Sequence, residues 1–224
     1  MNKLHFVLAL VCVGLLAFNQ VTLAQIRNMN HSAMKMNYRE FSEADFSQIK
    51  STGHTIAMLM PVENIKDTQD AVEMMIPTGV PEYADVFENK ISYDNPIASL
   101  NYLSNEAYPK LAAYVSQNSP DTWQRYVRLG NMPVGISCEY CCGVGPIGMT
   151  TNGNSRCGCQ HNPALLAITL GLMEFTDYSD SQILYEVMRW KTLFFPKNMI
   201  ELTMTVAGMD ESQLNELPGM VGGC

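Results

Sequence analysis

Five of the seven cysteines fall in one short stretch: Cys138-Glu-Tyr-Cys141-Cys142, then fourteen residues beginning with Gly143, then Cys157-Gly-Cys159-Gln-His161. Closely spaced thiols on either side of a loop are how a chain builds a tetrahedral sulfur site. His161 brings an imidazole within reach, as a ligand or as an outer partner of the ligands. It directly precedes Asn162-Pro163, which reads as a helix cap followed by proline at the first helical position. The positive end of that helix then lies beside the thiols and favours thiolate, the form that binds metal and attacks disulfides. Cys224 is a sixth candidate, whereas Cys12 lies in an apolar N-terminal run.

Soft sulfur ligands select Zn(II), Cu(I) or iron–sulfur clusters. One zinc takes four ligands. Six thiols and a histidine exceed that, so either two metals bind or one cysteine pair is oxidised. Abundant methionine, 16 in the whole chain, suits Cu(I). An iron–sulfur cluster is disfavoured, because the N-terminus lacks the twin arginine of folded export. Haem attachment is excluded, since Cys138-x-x-Cys141 is followed by Cys142 and not by histidine. The candidate metal ligands are therefore Cys138, Cys141, Cys142, Cys157, Cys159, His161 and Cys224, holding Cu(I) or Zn(II).

Two other readings use the same residues. Six cysteines outside the cytoplasm permit three disulfides in fifteen connectivities, which would staple a cell-surface interaction module. Cys138-x-x-Cys141 also has the spacing of a thiol–disulfide oxidoreductase, without the βαβ context that gives the motif weight. A second, weaker Cu(I) candidate is Met29-Asn-His31-Ser-Ala-Met34-Lys-Met36. No Ser-His-Asp arrangement, phosphate loop or His-Glu-x-x-His motif is present, which favours binding over catalysis, and no catalytic residue is assigned. Among the other polar candidates, His54 reads as a structural histidine.

The ends and the composition place this cluster. Lys3, the apolar run Phe6–Phe18 and Thr22-Leu23-Ala24 have the three parts of a signal peptide over residues 1–24. The run is shorter than a membrane span requires. The expectation is an extracytoplasmic protein, secreted, periplasmic or on the cell surface, with no transmembrane span after cleavage. The formal charge is −8, and an acidic chain without a Lys/Arg cluster repels phosphate backbones, so nucleic acid is not an expected partner. The expected partners are a metal ion and a metal donor, metal acceptor or cell-surface protein.

Positioning falls to helices. Residues 25–50 read as a flexible, polar, Met-rich tether and 51–224 as one helical domain. Residues 54–60 are strand or helix. Asp67–Ile76 reads as a short helix ended by Pro77, and Ile97–Gln117 as a helix kinked or divided by Pro109. Ser119-Pro120 starts a helix that stops at Gly130. The Gly/Cys-rich loop spans 132–161 and is too long to stay open inside a compact domain unless something holds it. A largely apolar helix follows from Asn162. Ser179-Asp-Ser-Gln182 is a capping box for the next, which ends at Pro196, and Lys197–Val206 forms one more. Trp190, Phe194, Phe195, Met173 and Met188 read as core, and the tail 217–224 as flexible. The fold class is mainly α: a single helical domain with the loop docked between helices and the ligands converging near the start of the 162–176 helix.

Cys138-Glu-Tyr-Cys-Cys-Gly143, Cys157-Gly-Cys-Gln-His161, Arg189-Trp-Lys-Thr-Leu-Phe-Phe-Pro196 and Met220-Val-Gly-Gly-Cys224 together resemble a group of exported proteins of unknown function, mainly archaeal. Pro77-Thr-Gly-Val-Pro-Glu-Tyr83 is similar to that group as well, so the likeness covers most of residues 70–224. It supplies no substrate and no mechanism. It implies that Cys224 belongs with the other five cysteines.

Overall fold

A computed structural model describes residues 38–209 and 217–222. Residues 1–24, expected to be a signal peptide, the Met29–Met36 cluster and Cys224 lie outside the described residues. The fold is mainly helical, and no helix among the described residues is long and apolar enough to cross a membrane.

The helices begin where local chemistry starts them. After a short α1 (Glu43–Phe46), α2 (Thr52–Leu59) is capped by Ser51, whose side chain accepts from the His54 backbone N–H; of the 54–60 run, all but the extended Met60 is helix. His54 is held locally, its Nδ1 accepting from the Lys50 N–H at 3.3 Å. Asp67 caps α3 (Thr68–Met75) in the same manner. Asn95 caps α4 (Pro96–Tyr102). A π-helical turn, Leu103–Ala107, then joins α4 to α5 (Tyr108–Asn118). The run is thus divided, and Pro109 stands in the first turn of α5, directly after the π turn. It lacks the N–H that the Asn105 carbonyl would receive, and the wider turn just before it absorbs that loss.

Helix α6 (Pro120–Gly130) has the predicted bounds, but Ser119 does not cap it. The Ser119 hydroxyl donates instead to the Glu174 carboxylate at 2.6 Å. Helix α7 (His161–Phe175) is buried along most of its length and packs against α5, α6 and α8. Each large apolar side chain buried there contributes about 1.5–3 kcal/mol. Ser179 and Gln182 form the expected capping box of α8 (Asp180–Phe194), and α9 (Pro196–Val206) follows directly. Trp190, Phe194 and Phe195 are core residues, as are Met173 and Met188.

Two segments expected to be loose are in contact with the core. In the described part of the 25–50 stretch, Phe46 and Ile49 are buried and the Phe41 N–H donates to Ser181 Oγ at 3.2 Å. In the tail, the Val221 N–H donates to the Phe194 carbonyl at 2.8 Å, and the Lys197 N–H to the Pro218 carbonyl at 3.1 Å.

A buried polar network holds the irregular segment 77–95 on α8. The Glu186 carboxylate accepts from Tyr83 Oη at 2.8 Å, from Tyr93 Oη at 2.5 Å and from Arg189 Nη1 at 2.8 Å. Trp190 Nε1 donates to Tyr83 Oη at 2.8 Å. Burial, with Glu186 beside them, pushes both tyrosine hydroxyls well above their ordinary range.

Candidate metal centre

The loop between α6 and α7 carries little regular structure, with two isolated bridges, Ile136 to Ile147 and Met149 to Ser155. Its rigidity comes from side chains. Ser137 Oγ donates to the Gly145 carbonyl at 2.6 Å, and Ser155 Oγ to the Cys157 carbonyl at 2.7 Å. Asn162 was expected to cap α7, but the helix starts one residue earlier, at His161. The Asn162 amide is drawn into the loop instead, donating to the Gly148 carbonyl at 2.7 Å and to Ser155 Oγ at 2.6 Å. Gly148 leaves room for this contact, since a Cβ there would meet Asn162 Oδ1 at 2.3 Å and the Ile136 carbonyl at 2.6 Å.

A clamp that the sequence reading missed fixes the first half of the loop. Lys191 on α8 is fully buried, and its Nζ pairs with the Glu139 carboxylate. Nζ also donates to the Gly135 carbonyl at 3.1 Å, and Thr52 Oγ1 on α2 donates to Glu139 at 2.6 Å. Glu139 has a φ of 34°, a left-handed value few non-glycine residues adopt. Its carboxylate is gripped from two helices, which offsets that strain of about 1–3 kcal/mol. Tyr140, the next residue, lies 5.4 Å from Phe195 ring to ring, and Lys191 Nζ sits 5.5 Å from the Tyr140 ring centre. Burial lowers the Lys191 pKa, while the Glu139 charge opposes the shift. The only local signal was a lysine amid the apolar residues of α8.

These supports bring the sulfurs together. The Sγ atoms of Cys138, Cys142, Cys157 and Cys159 all lie within 4.8 Å of one another. Cys159 Sγ is 3.3 Å from Cys157 Sγ and 3.5 Å from Cys138 Sγ. Cys142 and Cys157 are joined as a disulfide, whereas Cys138 and Cys159 are free thiols. Cys141, Cys159 and His161 form a second group with ligand atoms within 4.8 Å of one another, and Cys159 belongs to both groups. Cys141 is not a free thiol. Cys142 is exposed, while Cys138, Cys157 and Cys159 are buried.

Cys159 is held well below the usual thiol range, first by a hydrogen bond from Cys138, then by the adjacent His161 side chain and by the backbone N–H groups of Asn162 and His161 at the start of α7. Burial acts against this shift. Cys138 moves the opposite way, because it keeps the proton it shares with Cys159 and because it is buried.

His161 is fully buried, with its ring 4.7 Å from Phe195 and 5.6 Å from Phe194. Its Nε2 is 2.8 Å from the Val221 carbonyl. A carbonyl only accepts, so Nε2 carries the hydrogen, and the uncharged form of the ring has its lone pair on Nδ1. Nδ1 is buried and has no hydrogen-bond partner. A fixed tautomer with one nitrogen on a backbone carbonyl and a lone pair on the other is the arrangement of a ligating histidine. Of the seven candidate ligands, six therefore gather around α7's first turn. Cys224 lies outside the described residues, although Val221, three positions before it, is at the site.

The group is able to hold a metal ion. The chain matches no family model, and no curated protein and no solved structure is similar to it.

Proposed function

We propose that this chain binds a thiophilic metal ion, Cu(I) or Zn(II), outside the cytoplasm, for storage, transfer or structural use. One observation carries the reading: four sulfurs lie within 4.8 Å of one another, beside a histidine whose buried Nδ1 has no partner. Four thiolates at that separation suit tetrahedral coordination. Loading requires the Cys142–Cys157 disulfide to be reduced, since both of its sulfurs belong to the set. The expected compartment follows from the signal-like segment 1–24.

Elemental analysis of protein prepared under reducing, anaerobic conditions tests this. Stoichiometric copper or zinc is expected, and it should be lost when Cys157 and Cys159 are both replaced by serine. Absence of both metals from a folded, reduced chain would overturn the reading. The Cys142–Cys157 disulfide itself favours a second function, a stapled cell-surface interaction module. The free thiols of Cys138 and Cys159 weigh against a purely stapling role.

A further inference from the structure

The sulfurs are graded in depth as well as clustered. Cys142 is exposed at the surface. Its disulfide partner Cys157 is 8 % exposed, Cys159 is 7 %, and Cys138 is wholly buried. In this order each sulfur is bonded to or close to the next: the Cys142–Cys157 bond, then 3.3 Å from Cys157 to Cys159, then 3.5 Å from Cys159 to Cys138. Metal binding requires the sulfurs to converge, but it does not require an oxidised pair with one member at the surface in contact with a reduced, buried pair.

We propose that these four cysteines form a two-stage thiol–disulfide relay that reduces a disulfide of an extracytoplasmic protein or small molecule at Cys142. In the first stage the Cys142 thiolate attacks one sulfur of the substrate disulfide. The substrate S–S bond breaks, one substrate sulfur leaves as a thiolate, and the other stays bound to Cys142. The Cys157 thiolate then attacks Cys142 Sγ, forming the Cys142–Cys157 bond and releasing the second substrate sulfur. Two electrons pass to the substrate, and the protons of the two cysteine thiols end on the two substrate thiols. The structure holds the product of this stage, with the inner pair still reduced.

In the second stage the Cys159 thiolate attacks Cys157 Sγ and Cys142 leaves as a thiolate. Cys138 then attacks Cys159 Sγ and Cys157 leaves. The disulfide has moved inward to Cys138–Cys159, and Cys142 and Cys157 are a dithiol again. No electron enters or leaves in this stage. The four sulfurs thus reduce two substrate disulfides per chain before an external dithiol must restore them.

The relay uses the sulfurs of the proposed metal site but not the metal, so it is tested with a chelator present. The full chain is reduced with a phosphine, the phosphine is removed, and 2-hydroxyethyl disulfide is added as the probe. Samples are acid-quenched over time, alkylated and mapped by fragmentation mass spectrometry. The Cys142–Cys157 linkage is expected first, followed by Cys138–Cys159 with Cys142 and Cys157 alkylated. The variant Cys159→Ser should stop at the first linkage and consume one probe equivalent fewer. Cys142→Ser should lose the fast reaction with the probe. Cys138→Ala, checked for native circular dichroism, should carry the disulfide no further than Cys157–Cys159 and leave no second dithiol at Cys142 and Cys157. A Cys142–Cys157 linkage that persists while Cys138 and Cys159 stay alkylatable would overturn the relay, as would unchanged probe reduction in Cys142→Ser. A chain that relays but binds no metal would sink only the metal reading. One that binds metal without relaying would sink only the relay.

Discussion

Lys191 reaches Glu139 from the last turn of α8, so the residue next to Cys138 is tied to a side chain 52 positions away. Lys191 is wholly enclosed, and an amine in that setting depends on its counter-charge. Replacing Glu139 by alanine leaves the ammonium buried without a counter-charge, with only the Gly135 carbonyl and Thr52 Oγ1 beside it. The expected loss in unfolding free energy is about 3–5 kcal/mol, read from urea denaturation. The double change Glu139→Gln with Lys191→Met should cost clearly less, because no isolated charge is left behind. Equal losses in the two proteins would show that the pair is not what holds the loop.

The aromatic slot around His161 permits a cleaner test of the imidazole. His161→Phe keeps a ring beside Phe194 and Phe195 but removes Nδ1 and the bond to Val221. Metal affinity in the reduced protein should fall about 10–100-fold, measured by competition with a chromophoric chelator, while the thermal midpoint moves by only a few degrees. Unchanged affinity would remove His161 from the ligand set.

Gly148 is a position where one methyl group should reshape the centre. The added Cβ of Gly148→Ala would strike the Ile136 carbonyl and Asn162 Oδ1. Overpacking of this kind costs about 1–3 kcal/mol, and here it also separates the loop from α7. Both lower stability and a lower metal stoichiometry are expected. Full metal loading in the variant would show that the loop yields without disturbing the sulfurs.

Glu186 supplies the contrasting case. Glu186→Ala leaves Arg189, Tyr83 and Tyr93 without their shared acceptor. Destabilisation of about 3–5 kcal/mol is expected. The metal content of the molecules that remain folded should be unchanged, because the network braces segment 77–95 and not the cysteine loop. A selective loss of metal would contradict that division.

The helix starts were legible because their causes are local. Ser179 and Gln182 make their box within four residues, and Pro120 and Pro196 sit at the starts of α6 and α9. The cysteine spacing likewise pointed to a convergent site at the start of α7. Features that depend on distant residues were not legible. Asn162 has the type and position of a cap, yet Gly148 and Ser155 compete for its amide and win. Pro109 announced a disturbance, but a π turn is set by how neighbouring helices pack on Leu103 and Ala107, both buried. The partnership of Lys191 with Glu139 leaves no periodic trace. Nor does the choice of Cys142 and Cys157 as a pair among fifteen connectivities.

The bond between His161 and the Val221 carbonyl spans 60 residues, with a consequence for how the centre comes into being. A peptide covering 132–161 would carry the loop's five thiols and the imidazole, but nothing to orient the ring and nothing to replace Lys191 beneath Glu139. It would bind metal as a loose chain does, without the geometry of the whole protein. A chain whose 217–222 segment has not docked lacks the bond that fixes the histidine. In that state the thiols meet oxidants and adventitious metals without an oriented imidazole beside them, and docking of the 217–222 segment ends it.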